Sequence, residues 1–392
     1  MRRVLQVYKT EFPAVRGGVD LVVGNLLRHP PPGFECALLR TAAWTDRGVT
    51  TSRIDNIEVL ALHLPVPPAK ASDIKSWLFL CLHAPRAVLA LRRLLKSQAI
   101  ELVHLHTLQF YQLYFVLCRW LGGPPFVITL HRAEVLAYHE RHWTMRAVWR
   151  LALSQAAAVS AVSAWLTAEA QRRLPFVATI ECITNGIAAP HAALPDGALL
   201  RERLGLPARY FCMIGVLEAY KGHDLALRAW PQVDDDSALV VIGSGSALET
   251  CQRLCAELDI SARVHFLGQL AHDDALAVLR DSQAMIMPSR NEGLGLAILE
   301  AGIVGVPVTA SDIGPFREML ADQRTGLLFA SEDSAALAAA ANRLAGDATL
   351  GARLAQAFSA HVREHFSFET NARLYSDFYR RALEQSVHPA AL

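Results

Sequence analysis

The sequence predicts an α/β protein with two doubly wound parallel-sheet domains. Two features predict this fold. Short apolar segments alternate with helical stretches along the chain, and a segment rich in proline, alanine and glycine interrupts the alternation near the middle. The chain has 392 residues, of which 52 % are hydrophobic and 19 % charged, so it can bury two sizeable cores and is not disordered.

The first half contains strand candidates separated by helical stretches. The strand candidates are RVLQVYK, ECALLRT, ELVHLHT, FVITLH, AAVSAVS and IECITNG. The helical candidates are Val19–Arg28, Pro85–Lys96, Tyr138–Leu153 and Ala164–Arg173. This alternation is typical of βαβ units, so we expect a parallel sheet and a first domain over residues 1–188.

A second alternation follows the break, which starts at Asn185. Its strand candidates are YFCMIGVL, SALVVIGSG, RVHFLGQL, QAMIMPS, VPVTAS and TGLLFA. We expect a linker over 189–204 and a second domain over 205–369, followed by an amphipathic helix that includes Asn371–Ala382. Two such Rossmann-like domains would enclose a ligand cleft, because open α/β sheets bind ligands at the carboxyl ends of their strands.

The charge distribution and the cysteines indicate the cellular compartment and suggest that the two halves of the chain have different partners. Residues 1–190 carry 21 Lys+Arg and 12 Asp+Glu, a balance of +9, whereas the remaining residues carry 17 and 25, a balance of −8. Seven cysteines without a CxxC pair indicate reduced thiols, and the first apolar stretch is too short for a signal peptide. We therefore expect a cytoplasmic protein. The uncharged runs Leu102–Cys118 and Leu151–Ala168 carry polar residues and suit buried strands and helices better than membrane spans.

The most informative segment is PSRNEGLGLAILEAGIVGVPV, Pro288–Val308, which contains Glu292 and Glu300. Its pattern predicts a strand, a glycine-bearing turn, a helix and a second strand. Glycine allows close approach of a ligand to the backbone, and the first amides of a helix suit a diphosphate. Carboxylates accept hydrogen bonds from paired hydroxyls, so the two glutamates suit the two ends of a sugar nucleotide. At ~1.5 Å per residue we expect Glu300 about two turns into the helix.

This segment resembles the E-x7-E signature of retaining glycosyltransferases of family 4, which have the GT-B fold. The resemblance implies a hexosyltransferase that takes a nucleotide-sugar donor. It also implies that the C-terminal helix, about residues 370–392, packs back on the first domain. It implies that Glu292 acts in catalysis and holds the sugar, and that Glu300 holds the ribose. The other residues of this segment that it assigns to donor binding are Arg290, Gly293, Gly295, Leu296 and Ala297.

The segment GVLEAYKGHDLALRAW looks like a second family element, in which Lys221 matches the lysine that contacts the donor diphosphate. A lysine there would act as a point charge against the leaving group, which places Lys221 among the catalytic residues. The sequence departs from the pattern at Val216, where the family has an arginine. We expect Arg290, Arg132 or Arg16 to supply the missing charge.

Further residues match the family in shorter elements. Gly17 and Gly18 resemble its glycine loop near the donor phosphates, and Gly268 matches a position close to the nucleobase. His131, at the end of FVITLH, matches the histidine near the transferred sugar, and we include it among the catalytic residues. The preceding histidines, His104 and His106, are expected to be mainly structural.

We expect no metal and no cofactor. The acidic run around Asp234 and Asp236 reads as a solvated turn, and the resemblance implies a diphosphate site built from cations and helix amides.

The acceptor would be a saccharide or a lipid-linked saccharide, as in cell-surface polysaccharide biosynthesis, and no nucleic acid partner is expected. Within residues 71–96, the apolar run WLFLCL is followed by Arg86, Arg92, Arg93 and Lys96, which fits either an anionic membrane surface or a core helix with a solvated basic face.

Two other functions stay open at this stage. A sugar-nucleotide epimerase can share the GT-B fold, although the residues that would serve as its acid and base are not evident in the sequence. A non-catalytic nucleotide-sugar-binding partner protein would fit the loss of the arginine at Val216.

Overall fold

The computed structural model describes residues 1–9, 12–13, 17–41, 49–67, 73–188, 193–234 and 236–387. The chain divides into two compact units. The first comprises Met1–Val15, Val19–Thr184 and Glu369–Leu392, and the second comprises Arg16–Gly18 and Asn185–Phe368. The two units are α/β structures built on parallel sheets, and the predicted fold class is confirmed.

Within the described residues, the first unit forms one sheet in the order β3-β4-β2-β1-β5-β6-β7-β8. Neighbouring strands are parallel except β3 and β4. The strands are β1 Arg2–Val7, β2 Phe34–Thr41, β3 Thr50–Ile54, β4 Ile57–Leu62, β5 Leu102–Leu105, β6 Phe126–Leu130, β7 Ala158–Ala161 and β8 Glu181–Cys182. The helices are α1 Gly18–Arg28, α2 Ile74–Ser97, α3 Gln112–Trp120, α4 Ala133–Leu136, α5 Trp143–Gln155 and α6 Ala164–Arg173.

The second unit, over the part that the structure describes, forms a parallel sheet in the order β11-β10-β9-β12-β13-β14. Its strands are β9 Tyr210–Ile214, β10 Ala238–Ile242, β11 Val264–Gly268, β12 Met285–Met287, β13 Val308–Ser311 and β14 Leu327–Phe329. Its helices are α7 Gly197–Leu204, α8 His223–Ala229, α9 Leu248–Glu257, α10 His272–Arg280, α11 Leu296–Val304, α12 Gly314–Met319, α13 Ser334–Gly346 and α14 Ala348–His365. The final helix, α15 Phe368–Val387, is grouped almost entirely with the first unit.

Apolar periodicity explains how α15 packs. Ala372, Tyr375, Phe378, Tyr379 and Ala382 recur at intervals of three and four residues and are buried. These intervals place side chains on one face of a helix. The Phe34 and Tyr379 rings meet edge to face, with their centroids 5.2 Å apart, which anchors α15 beside β2.

The structure differs from the sequence predictions in three details. The hairpin of β3 and β4 was missed because TTSRI is mostly exposed and polar, although Asp55 and Asn56 both adopt the positive φ angles of a tight hairpin turn. Helix α2 begins at Ile74, not at Pro85, because the Asp73 carboxylate accepts a hydrogen bond from the Ser76 amide and caps the helix.

The third difference is the helix predicted over Tyr138–Leu153, which begins only at Trp143. The structure has α4 and α5 on either side of 137–142, and the His142 ring accepts a hydrogen bond from the Thr144 amide at the start of α5. In the expected linker over 189–204, Asp196 caps α7, so 197–204 is helical. Residues 189–192 of that linker lie outside the described residues.

Candidate functional site

The loop between β12 and α11, together with α11 itself, carries most of the predicted donor-binding residues. Gly295 caps α11 with a φ of 101°, and a Cβ atom there would lie 2.6 Å from Phe316 Cε1. Both the backbone angle and the crowding therefore require glycine at this position. Leu296 and Ala297 are the first two residues of the helix, and helix geometry leaves their amides without carbonyl partners inside it. Gly293 lies two residues before Gly295 in the same loop.

Glu292 and Lys221 form a largely buried ion pair within the second unit. Lys221 Nζ lies 2.6 Å from Glu292 Oε1, and the two side chains are 14 % and 9 % exposed. Ser289 Oγ donates a second hydrogen bond, 3.0 Å long, to the same carboxylate oxygen. Two predicted catalytic residues, 71 positions apart in sequence, are thus in direct contact.

A close backbone approach brings Lys221 to this loop. Lys221 ends a short 3-10 turn, Ala219–Lys221, after β9, and Gly222 follows with a φ of 68°. A Cβ atom on Gly222 would lie 2.0 Å from the Pro288 carbonyl oxygen, so only glycine lets the two loops meet. The K-G pair therefore has a structural reason: the glycine places the lysine beside the loop that carries Glu292.

Glu300 is buried in α11, and its environment opposes ionisation. Burial raises the pKa of its carboxyl group to about 7, and the positive charge of Lys221 partly offsets this rise. His272 Nδ1, at the start of α10, lies 3.7 Å from Glu300 Oε1. Because α11 begins at Leu296, Glu300 lies about one turn into the helix, and the expected two turns were wrong.

Arg290 is held by protein groups. Its guanidinium makes two bonds of 2.8 Å to the Asp224 carboxylate and one of 2.7 Å to Glu332 Oε1, and it donates to the Ala219 carbonyl at 2.6 Å. The bond to Asp224 is the main cause that raises the pKa of Arg290. In this arrangement Arg290 stabilises the loops around Lys221, and its predicted contact with the donor stays a prediction.

The other proposed substitutes for the arginine missing at Val216 are Arg132 and Arg16. Val216 is half-buried in the loop after β9. Arg132 precedes α4 in the first unit, and Arg16 lies outside the described residues. The predicted compensation by either arginine stays a prediction.

His131 directly follows β6 in the first unit and is 8 % exposed. Its backbone amide donates to Glu134 Oε2 at 3.3 Å, and its ring Nε2 lies 3.4 Å from His106 Nδ1. Burial lowers the pKa of His131 to about 3, so the ring is neutral near pH 7. His104 and His106 are fully buried and hydrogen-bonded, which agrees with a structural role.

The remaining predicted glycines lie at the start of α1 and at the end of β11. Gly17 precedes α1, Gly18 is the first residue of α1, and Gly268 ends β11 with a φ of 67°. Sequence reasoning missed Ser289 and His272. Ser289 could have been found from its place three residues before Glu292, whereas only the fold shows that His272 is near Glu300.

The described ranges contain no cluster of three or more His, Cys, Asp or Glu side chains that could bind a metal ion. None of the helices described in the structure combines the length and apolarity that crossing a membrane requires.

Two family models match the chain. Residues 200–361 match glycosyl transferases group 1, and residues 16–186 match the glycosyl transferase 4-like domain. The chain belongs to the group 1 glycosyltransferases. The family predicted from the E-x7-E segment is confirmed, and this glycosyltransferase has the GT-B fold.

Curated glycosyltransferases are similar to the chain in sequence, and a solved structure is similar to it in fold. A D-inositol 3-phosphate glycosyltransferase from Streptomyces avermitilis is 34 % identical over 48 % of this chain, and the match spans 44 % of that enzyme, less than half of its length. A glycogen synthase from Mycobacterium tuberculosis is 29 % identical over 99 % of the chain and 96 % of its own. The structure of sucrose-phosphate synthase from Thermosynechococcus elongatus has a TM-score of 0.77 at 21 % identity, over 98 % of this chain and 100 % of that one.

Proposed function

We propose that the protein is a retaining, metal-independent hexosyltransferase that moves a hexose from a nucleotide sugar to a saccharide or lipid-linked saccharide. The observation that carries the proposal is the buried pair of Lys221 and Glu292, with Glu300 one helical turn beyond the same loop. A cation, two carboxylates and the amides of a helix start are the groups that a nucleoside diphosphate sugar requires.

Each group would have a separate role. Glu300 would accept hydrogen bonds from the ribose hydroxyls and Glu292 from the hexose hydroxyls. Lys221 and the amides of Leu296 and Ala297 would hold the diphosphate. Because Lys221 already contacts Glu292, the lysine and the sugar hydroxyls would share this carboxylate in the complex.

The transfer itself would be a substitution at the anomeric carbon. The bond from that carbon to the diphosphate oxygen breaks, and a new bond to the acceptor hydroxyl oxygen forms on the same face. The hydroxyl proton passes to the leaving phosphate oxygen. Lys221 would stabilise the negative charge that develops on the leaving diphosphate. His131 keeps its predicted role beside the transferred sugar.

A donor panel tests the proposal. The protein is incubated with nucleotide sugars, and nucleoside diphosphate release is measured before and after addition of saccharides or a lipid extract. We expect release that depends on the acceptor, with retained anomeric configuration and no loss in a chelator. Lys221→Met should reduce it about a hundredfold, the effect of removing one preorganised charge-stabilising group. Lys96→Met, at an exposed lysine, should leave transfer to a water-soluble saccharide unchanged.

Two results would contradict this function. Interconversion of the sugars without an acceptor would identify an epimerase. Binding of a nucleotide sugar without any turnover would identify a non-catalytic binding protein, which the valine at position 216 would explain through a shortage of positive charge at the diphosphate.

We further propose that the enzyme acts at the cytoplasmic face of a membrane, in polysaccharide biosynthesis, and that α2 contacts anionic lipids. Leu78, Leu82 and Leu89 are 69 %, 57 % and 48 % exposed, and Arg86 and Arg93 are exposed on the same face by helical spacing. An apolar stripe beside basic residues suits an anionic surface. Residues 71–72 of the predicted segment lie outside the described residues.

Flotation with vesicles tests the contact. We expect binding to anionic vesicles at low salt, weaker binding at high salt, and loss of binding in Leu78→Gln/Leu82→Gln. The control Leu199→Gln removes a leucine that is 68 % exposed on α7, in the second unit. Equal recovery of the enzyme with neutral and anionic vesicles would contradict the proposed contact.

A further inference from the structure

A row of buried polar side chains in the first unit joins α15 to His131. Gln6 Nε2 lies 3.1 Å from Tyr379 Oη, and Gln6 Oε1 lies 2.7 Å from His106 Nε2. The row ends where His106 Nδ1 meets His131 Nε2 at 3.4 Å. Gln6, His106 and Tyr379 are completely buried, so water does not compete for these bonds.

The amide of Gln6 sets the direction of the hydrogen bonds in this row. Its nitrogen faces two acceptors, Tyr379 Oη at 3.1 Å and Cys36 Sγ at 3.3 Å, while its oxygen faces the ring of His106. This orientation uses both amide hydrogens. With the amide rotated, its oxygen would face the tyrosine and the cysteine, and its NH2 group would face a single ring nitrogen. The observed orientation therefore satisfies more donors, and His106 carries its proton on Nε2.

The tautomer of His131 follows from that of His106. Burial lowers the pKa of His106 well below its usual range, so this ring is neutral and its Nδ1 carries a lone pair. A lone pair can only accept, so His131 must donate from Nε2, which leaves His131 Nδ1 as an acceptor. At the other end of the row, Tyr379 Oη lies 2.7 Å from His104 Nδ1, and His104 Nε2 lies 2.7 Å from Thr129 Oγ1. The tyrosine hydroxyl is thus held from both sides.

We propose that Tyr379 is a positioning residue that fixes the tautomer of His131 by holding the Gln6 amide in one orientation. His131 then offers an acceptor nitrogen, Nδ1, to a hydroxyl group of the sugar substrate. The assignment of that hydroxyl to a sugar rests on the proposed function, whereas the tautomer is a property of the first unit alone.

Nitrogen NMR of the histidine rings tests the proposal without turnover. The protein is labelled with ¹⁵N-histidine, and His131→Gln identifies the resonances of His131. We expect one tautomer in the parent protein, protonated on Nε2. In Tyr379→Phe the Gln6 amide can rotate, so we expect the Nδ1-protonated form to appear. The control Tyr375→Phe removes a hydroxyl from the same buried face of α15, where Tyr375 Oη lies 3.4 Å from Thr129 Oγ1. This control should leave the tautomer of His131 unchanged.

Kinetics give the second readout. Tyr379→Phe should lower kcat about tenfold, the size expected for one buried hydrogen bond, with the donor KM within about twofold. Tyr375→Phe should change neither. If Tyr379→Phe does not fold, Gln6→Met interrupts the row at the next link and should give the same mixture of tautomers.

The two hypotheses fail in different ways. A parent protein that transfers no sugar overturns the proposed function, and its NMR spectrum still decides the role of Tyr379. Protonation of His131 on Nδ1 in the parent protein, or an unchanged His131 spectrum in both Tyr379→Phe and Gln6→Met, overturns the positioning role.

Discussion

Replacement of Glu300 by glutamine should stabilise the second unit in a pH-dependent way. The usual pKa of 4.5 applies to the unfolded chain, and burial raises the folded value to about 7. Below both pKa values the carboxyl group is protonated in the folded and the unfolded state, so it does not change the free energy of unfolding. As the pH rises through this window, the unfolded chain loses its proton first, so stability is lost and the loss is complete above the folded pKa.

The magnitude follows from the two pKa values. The penalty from Glu300 is about 0.8 kcal/mol at pH 5 and about 3.3 kcal/mol at pH 8, a difference of about 2.5 kcal/mol. Glutamine has nearly the same size and carries no charge at either pH, so Glu300→Gln should remove this difference. For a unit of this size, the unfolding midpoint should rise by roughly 5–10 °C more at pH 8 than at pH 5.

Differential scanning calorimetry at pH 5 and pH 8 measures this difference. The control Glu202→Gln removes an exposed carboxylate from α7 in the same unit, and its small effect should be similar at both pH values. A Glu300→Gln protein whose midpoint shifts equally at both pH values, or falls further at pH 8, would refute the reasoning from burial.

Three further predictions concern the loops around the candidate site. Gly295→Ala should destabilise the protein by about 3 kcal/mol in calorimetry, whereas Gly305→Ala, with positive φ but nothing within 4 Å of its Cβ position, should cost about 1 kcal/mol. Lys221→Met leaves Glu292 buried without its cation, so a double-mutant cycle with Glu292→Gln in urea unfolding should give a coupling of about 3 kcal/mol, and additive effects would contradict the pair. Arg290→Ala should lower stability by about 1 kcal/mol and change donor affinity, measured by titration calorimetry, less than threefold; a larger loss of affinity would show a direct contact.

Local sequence patterns predicted the parallel-sheet fold because its central strands are short, apolar and separated by helices. The patterns failed where a strand was polar or where a helix contained a proline. The exposed strand β3 lacks an apolar face, and Pro85 was read as a helix start although α2 continues through it. Each element is marked in the sequence by one aspartate, Asp55 in the hairpin turn before β4 and Asp73 at the N-cap of α2. Aspartate is common in loops, so neither residue identifies the element by itself.

In the candidate site, too, the sequence predicted some features, whereas others depend on the tertiary structure. Glu292 and Glu300 are eight positions apart in one motif, so the sequence indicates a shared segment. The contact between Glu292 and Lys221 depends on Gly222 passing close to the Pro288 carbonyl, which is a tertiary feature. The same holds for Arg290, because the partners that occupy its guanidinium, Asp224 and Glu332, lie 66 and 42 residues away.

The place of α15 has a consequence for synthesis on the ribosome. The hydroxyls of Tyr375 and Tyr379 complete the polar interior of a sheet whose strands end by Cys182, yet the 184 residues Asn185–Phe368 are made in between. At 5–20 residues per second, roughly 10–40 s pass before the nascent chain can supply these side chains. During that interval Gln6 and His104 lack their tyrosine partner, so the first-made domain becomes native only after the second has been translated.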